Sequence, residues 1–157
     1  MKIYVIDNTG QIQPELLISQ PSARFFSDEI QAVNAVDEQS PNLILLHYHV
    51  RNKETARYID LLLTISPTSD IIVLGDNLTE DQIVHCLLQG AKGYQNVTDL
   101  AIYIDKIIKV IAEGEAWISR RLTSCMMTAI RKQNSLDNSD SFYFSGEYTF
   151  SATHQKN

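Results

Sequence analysis

The sequence is poor in cysteine, glycine and proline, and it carries no long apolar run. Among its 157 residues are two cysteines, six glycines and four prolines. Cys86 and Cys125 lie far apart and form no Cys-x-x-Cys or Cys/His pattern, so neither a disulfide framework nor a zinc motif is indicated. Apolar runs of about four to five residues are far short of the ~20 needed to cross a bilayer. The first residues also lack the apolar stretch of a secretion signal, and we expect a cytoplasmic protein without membrane contact.

The composition is that of one folded domain with an appendage. Apolar residues make up 44% of the chain and charged residues 20%, which is enough to form a core and too apolar for overall disorder. The net charge is −6. Because binding to phosphates needs clustered Lys and Arg, we expect no direct contact with nucleic acid.

Three apolar runs indicate the centre of a parallel sheet. They span residues 3–6, 43–46 and 71–74, and a strand that is covered on both faces requires such continuous apolarity. Weaker strands fit residues 23–26 and 93–95. We therefore predict five strands.

The segments between these strands have apolar residues at helical spacing. Thr79 and Gln82 form a capping box, and Ser27 or Asp28 can cap the helix that follows the second strand. Thr98 can cap the last helix of the alternating pattern. The predicted helical segments are 13–19, at most two turns, and 27–38, 52–65, 79–88 and 99–113. This alternation predicts an open α/β sheet, whose functional crevice lies at the carboxyl ends of the strands.

Four stretches at these strands resemble the receiver domain of two-component response regulators over residues 1–115. They read KIYVIDN, PNLILLH, DIIVLGD and QGAKGYQNV. The following stretch GEAWISRRL, residues 114–122, looks like the junction after the receiver in NarL/LuxR-type regulators. The resemblance implies a flavodoxin-like (βα)5 fold with an extra C-terminal helix. The residues that follow do not resemble a helix-turn-helix, because they are few and lack paired helical periodicity.

The residues that carry the family's phosphoryl chemistry are mostly replaced. The resemblance implies an acidic pair after the first strand, an acceptor aspartate after the third, a hydroxyl after the fourth and a lysine after the fifth. These positions hold Asp7, Asn8, His47, Gly75 and Val97. A single carboxylate is a poor site for Mg²⁺. We expect a degenerate receiver, not an enzyme and without a cofactor, that acts in signal transduction or transcription control by phosphorylation-independent protein contact.

Other interpretations of the same positions stay open. Asp7, His47 and His49 could bind Zn²⁺ or Fe²⁺, the vacated pocket could hold a small ligand, and His47 could accept a phosphoryl group. An imidazole hydrogen-bonded to Asp7 could also simply fill the pocket. Tyr94 falls at the aromatic position that switches in the family, or it packs over the last helix.

The C-terminal part of the chain predicts a helix and then a tail. An apolar stripe runs along residues 119–132 and must be covered by the domain, a protein partner or a second copy, of which we favour a homodimer. The stripe contains Leu122, Cys125, Met126, Ala129 and Ile130. We divide the chain into a receiver-like domain (1–115), a linker with the appended helix (116–133) and a polar tail (134–157). The tail is aromatic-rich at 142–150, where a hairpin could form.

Overall fold

Five parallel strands form the centre of the protein in a computed structural model that describes residues 1–145, with side chains described through residue 135. The strand order in the sheet is β2-β1-β3-β4-β5. The strands are β1 (Ile3–Ile6), β2 (Arg24–Phe26), β3 (Leu43–His47), β4 (Asp70–Gly75) and β5 (Gly93–Asn96). This confirms the predicted flavodoxin-like α/β fold, including the helix added at its C-terminal end.

Helices connect the strands and follow the sheet. They are α1 (Glu29–Gln39), α2 (Thr55–Ile65), α3 (Glu80–Leu88), α4 (Leu100–Ala112) and α5 (Arg120–Ser145). Between β1 and β2 the chain forms only a 3-10 turn, Pro14–Leu17, which agrees with the short helical segment predicted there. Among the described residues, no helix is long and apolar enough to span a membrane.

Local capping explains where the helices begin. The Asp28 side chain accepts from the Ile30 amide at the start of α1. Both hydrogen bonds of the predicted capping box between Thr79 and Gln82 are present. The cap predicted at Thr98 is wrong: the Asn96 side chain accepts from the Thr98 amide and starts a 3-10 turn that precedes α4. The Asn96 side chain at the end of β5 therefore fixes the turn between β5 and α4, because it accepts a hydrogen bond from the backbone two residues ahead.

The core explains the continuous apolar strands. On one face of the sheet, side chains from β1, β3 and β4 pack against α4. The alternate residues of the same strands are equally buried on the other face. The α4 positions in this core are Leu100, Ile104, Ile107 and Ile111. Burial on both faces is the reason that these strands show no polar alternation.

The chain divides into two compact units, of which the first is residues 1–119 and the second begins at Arg120. Helix α5 runs through Ser145, so it includes residues predicted as the end of the linker and the start of a polar tail. No Gly or Pro occurs between residues 115 and 145 to end a helix. The first residues of the predicted hairpin, 142–145, are helical, and the rest of it lies outside the described residues.

Candidate functional site

The residues that the sequence singles out meet at one edge of the sheet. His47 and Gly75 are the last residues of β3 and β4, and Asp7 directly follows β1. Val97 directly follows β5. Parallel strands bring their carboxyl ends to the same edge. These positions therefore share one edge of the sheet, which we call the cleft, and its chemistry depends on what surrounds each side chain.

His47 is fully buried and both of its ring nitrogens are hydrogen-bonded. Its Nδ1 accepts from the His49 backbone amide at 3.0 Å. The proton of a neutral ring is then on Nε2, which lies 2.6 Å from Gln11 Oε1 and donates to it. The pKa of His47 is lowered, chiefly by burial and further by the neighbouring His49, against the opposing effect of the Asp7 and Asp76 carboxylates. The acceptor position therefore holds a neutral, hydrogen-bonded imidazole.

Asp7 directs its carboxylate into its own loop. Oδ1 accepts from the Thr9 amide at 2.8 Å and from the Thr9 hydroxyl at 2.6 Å. Oδ2 accepts from the Ile12 amide at 3.3 Å. The loop that Asp7 organises carries Gln11 to His47, so the expected Asp7–imidazole hydrogen bond is replaced by one from His47 to Gln11.

Gln11 is a residue of this site that the sequence did not indicate, and its side-chain oxygen accepts the hydrogen bond from His47. It follows β1 in a loop whose path depends on the bonds of Asp7. The neighbouring Asn8, at the second acidic position, is exposed. A neutral, exposed amide at that place adds no anionic charge to the cleft.

The hydroxyl and lysine positions are apolar. A Cβ on Gly75 would lie 2.6 Å from Leu78 Cδ1, so Leu78 occupies the space that a larger side chain would need. Val97 is partly buried against the core on the α4 face. Neither position places a donor or a cation in the cleft.

The predicted metal ligands are not arranged as a ligand set. The rings of His47 and His49 stack with their centroids 5.5 Å apart, and hydrogen bonds engage both nitrogens of His47. Residues 1–135 contain no group of three or more His, Cys, Asp or Glu that could hold a metal ion. Asp7 binds its own loop instead.

Tyr94 lies where β5 meets the segment that follows α4. Its amide donates to the Trp117 carbonyl at 3.1 Å, and the Trp117 amide donates to the Lys92 carbonyl at 3.0 Å. Burial, with a smaller contribution from Asp76, raises the pKa of Tyr94 to about 12. Tyr94 is thus a half-buried, neutral phenol on β5, the outermost strand on that side of the sheet.

Trp117 is a second residue whose role the sequence did not indicate. Its indole donates to Gln95 Oε1 at 3.0 Å, and its ring lies 5.9 Å from that of Tyr103 on α4. A Cβ on Gly93 would overlap the Trp117 carbonyl oxygen. The second glycine of the Gly-Ala-Lys-Gly-Tyr stretch therefore admits the Trp117 backbone, which forms an isolated parallel bridge with Gly93.

The predicted interaction stripe lies on helix α5. Leu122 is buried, Met126 and Ala129 are partly buried, and Ile130 is 44% exposed. The helix thus carries large apolar side chains at three- and four-residue spacing, as the sequence predicts.

Comparison with solved structures identifies proteins of the same fold. A LuxR-family two-component response regulator from Aurantimonas sp. SI85-9A1 superposes with a TM-score of 0.68 at 13% identity, over 82% of this chain and 96% of that chain. The receiver domain of RcsB from Salmonella enterica serovar Typhimurium in the apo form gives 0.68 at 13%, over 81% and 98%. The receiver domain of the putative response regulator NarL from Mycobacterium tuberculosis gives 0.62 at 17%, over 73% and 97%.

At these identities the likeness concerns the fold. No protein-family model and no curated protein matches the chain. The structural neighbours are response regulator receiver domains, including LuxR-family and NarL proteins. The chain has the fold of a response regulator receiver domain, with an added C-terminal helix.

Proposed function

We propose that this chain is a receiver-type signalling module that acts by protein contact and does not undergo phosphoryl transfer. The observation that carries the proposal is the state of His47, which is buried, neutral and hydrogen-bonded at the acceptor position. Within this proposal the chain works in cytoplasmic signal transduction or transcription control, binds no nucleic acid itself and catalyses no reaction.

The chemistry of aspartyl phosphorylation supports this proposal. That reaction needs a carboxylate nucleophile, a divalent cation and positive or hydrogen-bonding groups around the transferred phosphoryl group. In this cleft the carboxylate of Asp7 accepts hydrogen bonds from its own loop. Leu78 covers Gly75, and Val97 packs into the core. Each requirement is therefore unmet by the residues at the family's positions.

Phosphorylation at His47 is also disfavoured by this geometry. Attack through Nε2 would break the bond to Gln11, and attack through Nδ1 would break the bond from the His49 amide. A buried ring would also have to become accessible. The proposal therefore covers both kinds of phosphoryl acceptor.

Intact-mass spectrometry tests this function. The chain is incubated with acetyl phosphate and Mg²⁺, and a response regulator that keeps its acceptor aspartate is treated in parallel. We expect the control to gain one phosphoryl group and this chain to gain none. A mass increment on this chain, located at Asp7 or His47 by fragmentation, overturns the proposal.

The contact is proposed to be a homodimer or another protein partner bound through the α5 stripe. The stripe consists of Leu122, Met126, Ala129 and Ile130, of which Ile130 is the most exposed and would lie at an isologous contact with a second copy. Sedimentation velocity of Ile130→Glu is expected to show a monomer where the parent chain shows a dimer. Ile102→Glu on α4, where Ile102 is 72% exposed, is the control. A parent chain that is monomeric at all concentrations removes the homodimer from the proposal.

A further inference from the structure

An open groove lies between α1 and α2, away from the cleft. Its volume is 280 Å³. Ile30 and Val33 line it from α1, and Tyr58 and Leu61 line it from α2. Each helix therefore presents two groove residues at three-residue spacing, which is the spacing of one helix face. Ile30 is 67% exposed and Leu61 is 43% exposed, so apolar surface faces solvent here.

A hydrogen-bonded network fixes one end of the groove. Arg51 Nη1 lies 2.7 Å from Glu29 Oε1, and its guanidinium lies 5.9 Å from the centre of the Tyr58 ring. The Tyr58 hydroxyl donates to the Glu29 carbonyl at 2.7 Å. Burial and the nearby Glu29 raise the pKa of Tyr58, which keeps its hydroxyl protonated. The groove is thus organised without a ligand, which lowers the entropy cost of binding one.

The charge of the groove differs from that of the domain around it. Residues 1–119 hold sixteen Asp and Glu against eight Lys and Arg. The groove is lined by Arg51, Arg57 and Glu29, of which Arg51 and Glu29 pair with each other. The side chain of Arg57 is 86% exposed, and its contact with Glu54 is long, at 3.7 Å. The positive charge of Arg57 therefore lies beside apolar surface, on a domain whose net charge is negative.

We propose that this groove binds an acidic amphipathic helix of a protein partner. Apolar side chains of that helix would lie between Ile30, Val33, Tyr58 and Leu61, and a carboxylate would pair with Arg57. Helix-in-groove binding uses apolar residues at such three- and four-residue spacing. The apolar walls disfavour a nucleic-acid backbone, and the charge of Arg57 selects a carboxylate. This surface shares no residue with the cleft or with helix α5, so the test of this proposal is independent of the proposed function.

Peptide display on the full chain tests the proposal. A randomised library of helical peptides of about four turns is selected against the parent protein. We expect the enriched sequences to combine Asp or Glu with large apolar residues three or four positions apart. Enrichment of basic peptides, or no enrichment, overturns the proposal.

Variants then locate the binding site by fluorescence anisotropy of a selected peptide. Leu61→Glu is expected to weaken binding at least about tenfold, which corresponds to about 1.4 kcal/mol, because a charge would replace an apolar side chain at the centre of the contact. Arg57→Glu is expected to weaken it severalfold and to be rescued when the peptide carboxylate is replaced by Lys. Lys53→Glu, a nearby charge outside the groove lining, and Ile102→Glu on α4 are the controls.

Two results overturn the assignment at this stage. Binding that is unchanged in both Leu61→Glu and Arg57→Glu places the peptide elsewhere. Self-association of the parent chain that Leu61→Glu abolishes would make the occupant a second copy instead of an acidic partner. Circular dichroism of each variant confirms that the helices remain folded, which is expected because Leu61 and Arg57 are exposed.

Discussion

Replacing Gly93 by Ala should detach the segment around Trp117 from the edge of β5. The Cβ of alanine would overlap the Trp117 carbonyl oxygen and lie 2.8 Å from Trp117 Cβ. Backbone atoms cannot move aside as a flexible side chain can. The segment must shift, and it loses two backbone hydrogen bonds and the indole bond to Gln95.

The cost follows from these bonds. Losing three hydrogen bonds at ~1 kcal/mol each lowers the free energy of unfolding by about 3 kcal/mol. Alanine also lowers the conformational entropy of the unfolded chain, which offsets ~0.4–1 kcal/mol of this loss. The net loss is about 2–3 kcal/mol. For a chain of this size each kcal/mol lowers Tm by ~2–4 °C, so Tm should fall by roughly 4–12 °C.

Tryptophan fluorescence reports the same event directly. Trp117 is the sole tryptophan of the chain, so its emission should shift to longer wavelength in Gly93→Ala. Gly10→Ala is a matched control, because a Cβ at Gly10 meets nothing within 4 Å and only its φ of +76° opposes the substitution. It should leave the emission unchanged. A Gly93→Ala protein with parental Tm and emission would refute the parallel bridge between Gly93 and Trp117.

Three further predictions concern the cleft and the helices. Gln11→Ala leaves the buried Nε2–H of His47 without its acceptor and should lower the free energy of unfolding by ~1–3 kcal/mol, measured by urea denaturation; an unchanged value contradicts the hydrogen bond. Because burial lowers the pKa of His47, the unfolded chain takes up the proton first, so the stability contribution of His47 is complete above pH 6.5 and is lost as pH falls below it. His47→Asn should flatten this part of the pH profile of urea unfolding, and an equal slope in both proteins would contradict it. Thr79→Ala removes the capping box of α3 and should cost ~1 kcal/mol in the same assay; a loss below the error of the midpoint would show that the cap is dispensable.

The sequence predicts the sheet well because its signals are local. Continuous apolar runs mark β1, β3 and β4, whose residues are buried on both faces. The capping box at Thr79 and Gln82 needs only neighbours in the chain. Both kinds of signal depend on residues within a few positions, so they can be recognised without knowledge of the fold.

The content of the cleft depends on contacts between distant residues. The Gln11–His47 hydrogen bond joins residues 36 positions apart, and no periodicity marks it. The position of Leu78 over Gly75 depends on the path of the loop after β4. Helix α5 extends beyond the predicted segment 119–132, because Asn, Ser and Asp in its second half favour a linker by composition although no Gly or Pro ends the helix there.

The nitrogen NMR spectrum of the His47 ring tests most directly the claim that the acceptor position holds a neutral, hydrogen-bonded imidazole that takes no part in phosphoryl transfer. We predict a neutral ring at pH 7 with its proton on Nε2 and bare Nδ1, as required by the bonds to Gln11 and from His49. The same signals should remain in place when Mg²⁺ and acetyl phosphate are added. A doubly protonated ring, a proton on Nδ1, or signals that move with these additions would contradict the account.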